Sequence, residues 1–309
     1  MDWNTWWQWK WTRLQFWVND RQQQLVQLWK GVKVEHKMCP ECRALIDKKA
    51  PNCPLCGAAL TGVPTGGIGR FLSAFFPKAG FYTATILAAN LLLYVATVMV
   101  SARRSSGDGL NFFGSPDTFT LINFGADLGL LVKQGQLWRW VTAIFLHGGI
   151  IHIGFNSVVL YSIGPVMEQI YGRSKFIFIY LVTGVCGYVA SGWVLPDTAP
   201  TIGASGSIFG LIGVMAVYGH RRGGSYGMGI RRGMIQWAIY SLVFGFFVGA
   251  NNAAHLGGLI SGAGMSFLIN ERTASEQVPG LWGVMETLSI LIILISFAAN
   301  FATYGAWVK

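Results

Sequence analysis

The chain has 309 residues, 52% of them hydrophobic and 12% charged, with a net charge of +10. That charged share is about half of what soluble domains carry, and the mean hydropathy is +0.45, which excludes a soluble globular protein. The basic residues alternate between apolar runs, so the positive charge reads as membrane topology and gives no ground for a nucleic-acid partner.

Segment 1–36 is rich in Trp and Gln and lacks the charged stub, apolar core and small-residue cleavage site of a secretory signal. Trp3, Trp6, Trp7, Leu14, Trp17 and Val18 recur at roughly helical spacing, with Lys10, Arg13 and Gln15 among them. Two readings stay open: an interfacial helix with its indoles at headgroup level, or an aromatic face packed on the next domain. Trp9, Trp11 and Phe16 blur the stripe.

Segment 37–62 contains Cys39-x-x-Cys42, ten intervening residues, then Cys53-x-x-Cys56. Two such knuckles can set four thiolates around one tetrahedral Zn2+, with Pro40, Pro54 and Gly57 helping the turns. Two disulfides or a redox pair are the alternatives. Disulfides need an oxidising compartment, which the charge topology argues against. A fragment this short buries little core, so the metal would hold a small ribbon together; four thiolates leave no open catalytic position. The fifth cysteine, Cys186, stands alone in an apolar run and reads as a small buried hydrophobe.

Segment 63–78, with Pro64, Gly66, Gly67 and Gly69, reads as a linker. Apolar runs then fall near 79–101, 148–168, 174–194, 205–220, 233–250, 253–270 and 281–305. Residues 102–146, between the first two, are too many for a simple connector and predict structure of their own. Lys and Arg crowd the stretch before the first run. Arg173 and Lys175 follow the second, Arg221, Arg222, Arg231 and Arg232 the fourth, and Arg272 the sixth. Loops 195–204 and 249–252 have none. This alternation predicts a cytosolic N-terminus.

Polar residues inside such runs need partners. His147, His152 and Asn156 open the second run, Ser205 opens the fourth in TIGASGSIFG, and His255 opens the sixth in NAAHLGGLISG. With the N-terminus inside, all three runs start at the outer face, so these residues share one depth. His152 and Asn156, four apart, lie on one helix face. A polar packing cluster would account for any one of them but gives no reason for their common level. The pattern predicts a Ser205–His255 dyad for acyl transfer, since no carboxylate lies nearby. The Ser205 amide and the side chains of His152 and Asn156 are oxyanion donors. His36 and His220 receive no role.

These residues resemble the rhomboid family of intramembrane serine proteases over about 79–272. The likeness rests on Gly203-Ala204-Ser205-Gly206, on His147, His152 and Asn156, on Ala254-His255 with Gly258 and Gly262, on Trp138-Arg139, and on Glu168 with Gly172. It implies Ser205 as nucleophile, His255 as base, and His152, Asn156 and the Ser205 amide as oxyanion hole. Phe209 stands where the family often has a Tyr packed on the histidine. Gly258 and Gly262 would let the fourth and sixth spans approach, with Gly257 an extra small residue. Residues 102–146 would form the family's half-submerged loop, with Arg139 an anchor near headgroups. The fifth span would be the gate: Trp237 and Phe247 are gate candidates, although lipid-facing aromatics are the simpler reading.

The expected fold is an all-α polytopic membrane protein: a six-span rhomboid-like helical bundle at 79–272, a seventh C-terminal span within 273–309, and a small zinc ribbon ahead of it. The expected function is hydrolysis of peptide bonds in transmembrane protein substrates near the outer face of the lipid bilayer, with no cofactor for catalysis. The expected setting is a bacterial inner membrane, with a cytosolic protein as partner of the ribbon. A catalytically silent client-binding protein is the alternative; a transporter ranks below it, because the polar residues sit at span starts and no inverted repeat is evident.

Overall fold

The computed structural model describes residues 36–38, 45–47, 50, 53–55, 80–104, 114–247, 249–271 and 280–304. The chain divides into two units, 1–62 and 63–309. In the first, β1 (His36–Met38) and β2 (Leu45–Asp47) pair antiparallel, with Lys37 opposite Ile46. Cys39 and Cys42 belong to the stretch between these strands, and Cys53 is buried just before a turn at Pro54 and Leu55. Cys39, Cys42 and Cys56, the Trp-rich segment and the 63–78 linker lie outside the described residues.

In the second unit every apolar run is a helix. These are α1 (Phe81–Arg104), α5 (Ile150–Tyr171), α6 (Arg173–Gly192), α7 (Ser205–Arg222), α8 (Gly224–Phe247), α9 (Asn252–Leu268) and α10 (Leu281–Ala302). Between α1 and α5 lie α2 (Thr118–Asn123), α3 (Gly129–Lys133), α4 (Arg139–Thr142) and a 3-10 turn at Ala143–Phe145, so the long connection does have structure of its own. Glycines mark two of the sharpest breaks. Gly172 (φ +82°) separates α5 from α6, and Gly223 (φ +62°) separates α7 from α8; both angles favour a residue without Cβ. Helix α8 starts earlier than its apolar run: the basic stretch at 224–232 is helical although it contains Gly224, Gly227 and Gly229, poor helix formers, and a Cβ at Gly227 would lie 2.5 Å from the Gly219 carbonyl oxygen, so close packing on α7 holds this part of the helix.

Among the described residues, four helices, α1, α5, α6 and α10, are long and apolar enough to cross a membrane by length and composition. The other three differ for a physical reason. Helix α7 is enclosed by α6, α8 and α9 and is buried at every position from Gly206 to Met215, so its neighbours are protein and small residues replace large apolar ones. Helix α9 faces α7 with Gly258 and Gly262, and α8 carries the basic stretch.

The last helix is fastened at both ends. Glu286 accepts hydrogen bonds from the Tyr82 hydroxyl and from Ser174 Oγ, and lies 3.5 Å from Arg173. Toward the other end, Asn300 Nδ2 donates to the Asn123 carbonyl at 3.0 Å, and Phe297 meets Phe145 edge-on. Glu168 accepts from Thr83 Oγ1 and the Thr83 and Tyr82 amides, tying α5 to the start of α1.

One expectation needs correction. Arg139 is no headgroup anchor: it is 1% exposed, with Nε on Gln136 Oε1 at 2.7 Å and Nη1 on the Ile122 and Ala126 carbonyls at 2.7 and 2.9 Å. The loop's turns leave carbonyls pointing inward, and a guanidinium offers enough fixed donors to satisfy several at once. Trp138 beside it is partly exposed, but its indole Nε1 is buried without a partner among the described residues. Cys186 is half-buried, a less enclosed place than its apolar run suggests.

Candidate active site

The polar residues that open α5, α7 and α9 meet at one end of the bundle. Ser205 is the first residue of α7, so its backbone N–H belongs to the turn that has no intrahelical acceptor. Its Oγ lies 2.9 Å from His255 Nε2. The imidazole is buried and stacks on Phe209 with centroids 4.4 Å apart and planes 9° from parallel. Phe209 is therefore the ring's shelf, one turn below the serine on the same helix. The other ring nitrogen, Nδ1, lies 3.0 Å from Asn252 Oδ1.

His152 reaches the same place from α5. A Cβ added to Gly203 would lie 2.7 Å from His152 Nε2 and 3.8 Å from Ser205 Oγ, so imidazole and hydroxyl converge on that glycine. Gly203 also has φ +125°, and both constraints exclude a side chain. The Gly148 amide points at His152 Nδ1 at 3.4 Å; an N–H there makes Nδ1 the acceptor and leaves the proton on Nε2, facing the serine. Asn156 Nδ2 donates one hydrogen to the His152 carbonyl at 3.1 Å and keeps a second. His147 is fully buried and stands edge-on to His152 at 5.0 Å, walling it from behind.

The stretch before Ser205 is held from three sides. Thr201 and Asp127 exchange backbone hydrogen bonds at 2.8 and 3.0 Å, Gly203 N–H donates to Ala143 O at 2.9 Å, and the Tyr188 hydroxyl donates to Gly203 O at 2.9 Å. The loop between α1 and α5 thus positions the serine. Sequence reasoning missed Asp127, Tyr188, Asn251 and Asn252. Asn251 caps α9 by accepting from the Ala254 amide and donates to Ser191 Oγ. An Asn pair just before an apolar run is a helix-start signal that could have pointed to it.

Close helix approach sets the Ser205–His255 separation. A Cβ at Gly258 would lie 2.8 Å from the Gly206 carbonyl carbon, and one at Gly262 2.7 Å from that of Gly210. Gly257 faces α6 instead, toward Ala190 and the Cys186 carbonyl. On the far side, Phe155 of α5 meets Trp237 and Phe244 of α8 at 6.4 and 6.3 Å, the ring contact between these two helices. Phe247 is 79% exposed and its ring meets that of Phe246.

A hydroxyl next to a buried imidazole, with further N–H donors a few ångströms away, is an arrangement suited to nucleophilic attack on a carbonyl. Fold and site together define an integral, multi-pass membrane protein with a serine–histidine pair at one end of its helical bundle. Residues 134–272 match the Rhomboid domain. YdcA, a rhomboid protein of Bacillus subtilis, is 33% identical over 153 residues, covering 49% of this chain and 74% of YdcA. The chain belongs to the rhomboid family. The rhomboid protease GluP of Bacillus subtilis is 36% identical over 193 residues, 62% of this chain, which spans only 36% of GluP. Rhomboid-like protease 1 of Toxoplasma gondii is 28% identical over 248 residues, 77% of this chain and 80% of that protein.

Proposed function

We propose that this protein is an intramembrane serine endopeptidase that hydrolyses peptide bonds of transmembrane protein substrates near the outer membrane face. The observation that carries the reading is the 2.9 Å contact between Ser205 Oγ and His255 Nε2. In the first step His255 Nε2 takes the hydroxyl proton as Oγ attacks the scissile carbonyl carbon. The carbonyl oxygen becomes an oxyanion, within reach of the Ser205 amide, His152 Nε2–H and the free hydrogen of Asn156 Nδ2. His255 returns the proton to the leaving amine, and water repeats the sequence on the acyl-enzyme. A helical substrate hides its carbonyls in the helix ladder, so it must unwind at the cleavage site; residues that weaken helices favour this. Apart from the substrate and the hydrolytic water, residues of the chain supply every group in these steps.

The seven helices α1 and α5–α10 would span the membrane as six plus one. The N-terminus would then face the cytosol of a bacterial inner membrane. Cys39, Cys42, Cys53 and Cys56 would hold one structural Zn2+: the strand pair β1–β2 flanks the first pair, and buried Cys53 leads a turn, as a knuckle requires. Its cytosolic face would bind a protein partner; zinc stripping without effect on partner binding or proteolysis would remove any regulatory role.

Labelling of detergent-solubilised protein by a fluorophosphonate serine-hydrolase probe tests the central claim. Wild-type labelling that disappears in Ser205→Ala and His255→Ala is the expected result. A folded wild-type protein that stays unlabelled in detergent and in lipid would instead indicate a silent, client-binding protein.

A further inference from the structure

The serine–histidine contact leaves one question open: what keeps the correct ring nitrogen facing Ser205? Stacking on Phe209 fixes the plane of the His255 ring. It does not fix the ring within that plane, because half a turn about the Cβ–Cγ bond leaves the stacked face as good as before. Only a directional contact can distinguish the ring edges.

Asn252 makes that contact. It is the first residue of α9, one helical turn before His255. Its Nδ2 lies 3.0 Å from the Leu242 carbonyl of α8. A carbonyl can only accept, so the amide nitrogen must face Leu242, and the amide oxygen must face the histidine. That oxygen, Oδ1, is 3.0 Å from His255 Nδ1. An amide oxygen is likewise only an acceptor, so Nδ1 must carry the proton. Nε2 then bears the lone pair and can accept the Ser205 hydroxyl at 2.9 Å. Space for the amide is provided by Gly245 of α8, where a Cβ would lie 2.7 Å from Asn252 Oδ1.

We infer that Asn252 is a positioning residue that holds His255 as the Nδ1–H tautomer with Nε2 toward Ser205, and that the carbonyl of Leu242 on α8 sets the orientation of Asn252. A neutral amide does this without the charge of the aspartate in a Ser–His–Asp triad. Helix α8 thereby acquires a share in the site: moving it off Asn252 frees the amide to turn its nitrogen toward Nδ1, which favours the tautomer that cannot accept the serine proton.

For its effect on activity the inference rests on the protease reading, but the tautomer can be measured without turnover. The test uses full-length, solubilised protein carrying 15N-histidine, with His255→Ala to assign its signals among the five histidines. Two-bond 1H–15N spectra at neutral pH separate the two ring nitrogens, and fluorophosphonate labelling is followed in parallel. In wild type, His255 Nδ1 should be protonated and Nε2 not. In Asn252→Leu that pattern should be lost, and labelling should slow by about 10- to 100-fold. Gly245→Ala, which substitutes no site residue but crowds Asn252 Oδ1, should shift both readouts in the same direction, and it serves as the test should Asn252→Leu fail to fold. A wild-type ring protonated on Nε2, or variants with unchanged spectrum and labelling rate, would overturn the proposal. A wild type that shows the Nδ1–H pattern, loses it in the variants and yet never labels would support the positioning role while sinking the protease reading.

Discussion

Gly258→Ala tests whether backbone contact between α7 and α9 sets the catalytic distance. The new methyl would stand 2.8 Å from the Gly206 carbonyl carbon and closer still to its oxygen. Carbon–carbon contacts settle at about 3.5–4.0 Å, so the helices must part by about 0.7 Å or more. Both sides of the clash are backbone, and no rotamer change can relieve it. Gly206 adjoins Ser205, and Gly258 lies one turn after His255, so the displacement passes directly into their 2.9 Å contact. The separation would approach ~3.6 Å, outside hydrogen-bond range. Misplacement on this scale costs on the order of 100-fold in rate. Overpacking should cost about 1–3 kcal/mol in stability, partly offset by alanine's better helix propensity. The assay compares fluorophosphonate labelling rates and thermal unfolding for wild type, Gly258→Ala and Gly264→Ala. Gly264 lies on the same helix, and a Cβ there meets nothing within 4 Å, so its variant should label normally. A Gly258→Ala rate within about threefold of wild type, less than 1 kcal/mol of barrier, would refute the reasoning.

Three further outcomes are expected. Glu286→Ala strands the Tyr82 and Ser174 hydroxyls that its carboxylate accepts from, and should lower unfolding stability by about 1–3 kcal/mol for each hydroxyl that water does not rescue; an unchanged unfolding temperature would show that α10 is not fastened there. Arg139→Lys replaces a planar fork on three acceptors with a single ammonium, and should destabilise the loop between α1 and α5 and slow labelling, read by limited proteolysis and labelling rate. Asp127 is pushed up to about 6 by burial, with the Thr201 hydrogen bond and Arg139 opposing. Its protonated form therefore favours the fold: that contribution is complete below about pH 4, the ordinary carboxylate range, and is lost as pH rises through about 6. Asp127→Asn should flatten this part of the stability profile, an effect of at most ~3 kcal/mol, measured by thermal unfolding between pH 4 and 7.

Much of the bundle was legible along the chain. Apolar runs of membrane length register directly in composition, and each proved to be a helix, because a lipid or protein interior forces the backbone to satisfy its own hydrogen bonds. The start of α8 lies outside its apolar run because hydropathy marks where a helix is dry, whereas the break at Gly223 and the packing of Gly227 on α7 decide where it begins. Arg139 was misread for a related reason. A charged residue beside a tryptophan looks like an interfacial anchor, and only folding of the loop reveals the inward-facing carbonyls that it satisfies.

The sequence by itself determined which chemistry was available: Ser205, His255, His152 and Asn156 at run starts, small residues at Gly203, Gly258 and Gly262, and charges that orient the runs. Those signals are local, since residue type and spacing along one helix are written in the chain. Tertiary structure alone decided the relations between helices. It placed Ser205 Oγ 2.9 Å from an imidazole fifty positions away, gave Gly203 its tyrosine and Ala143 contacts, and turned the Asn252 amide by way of a carbonyl on α8. Distances between helices depend on which small residues face each other across an interface, and no single run of sequence contains both sides of a contact.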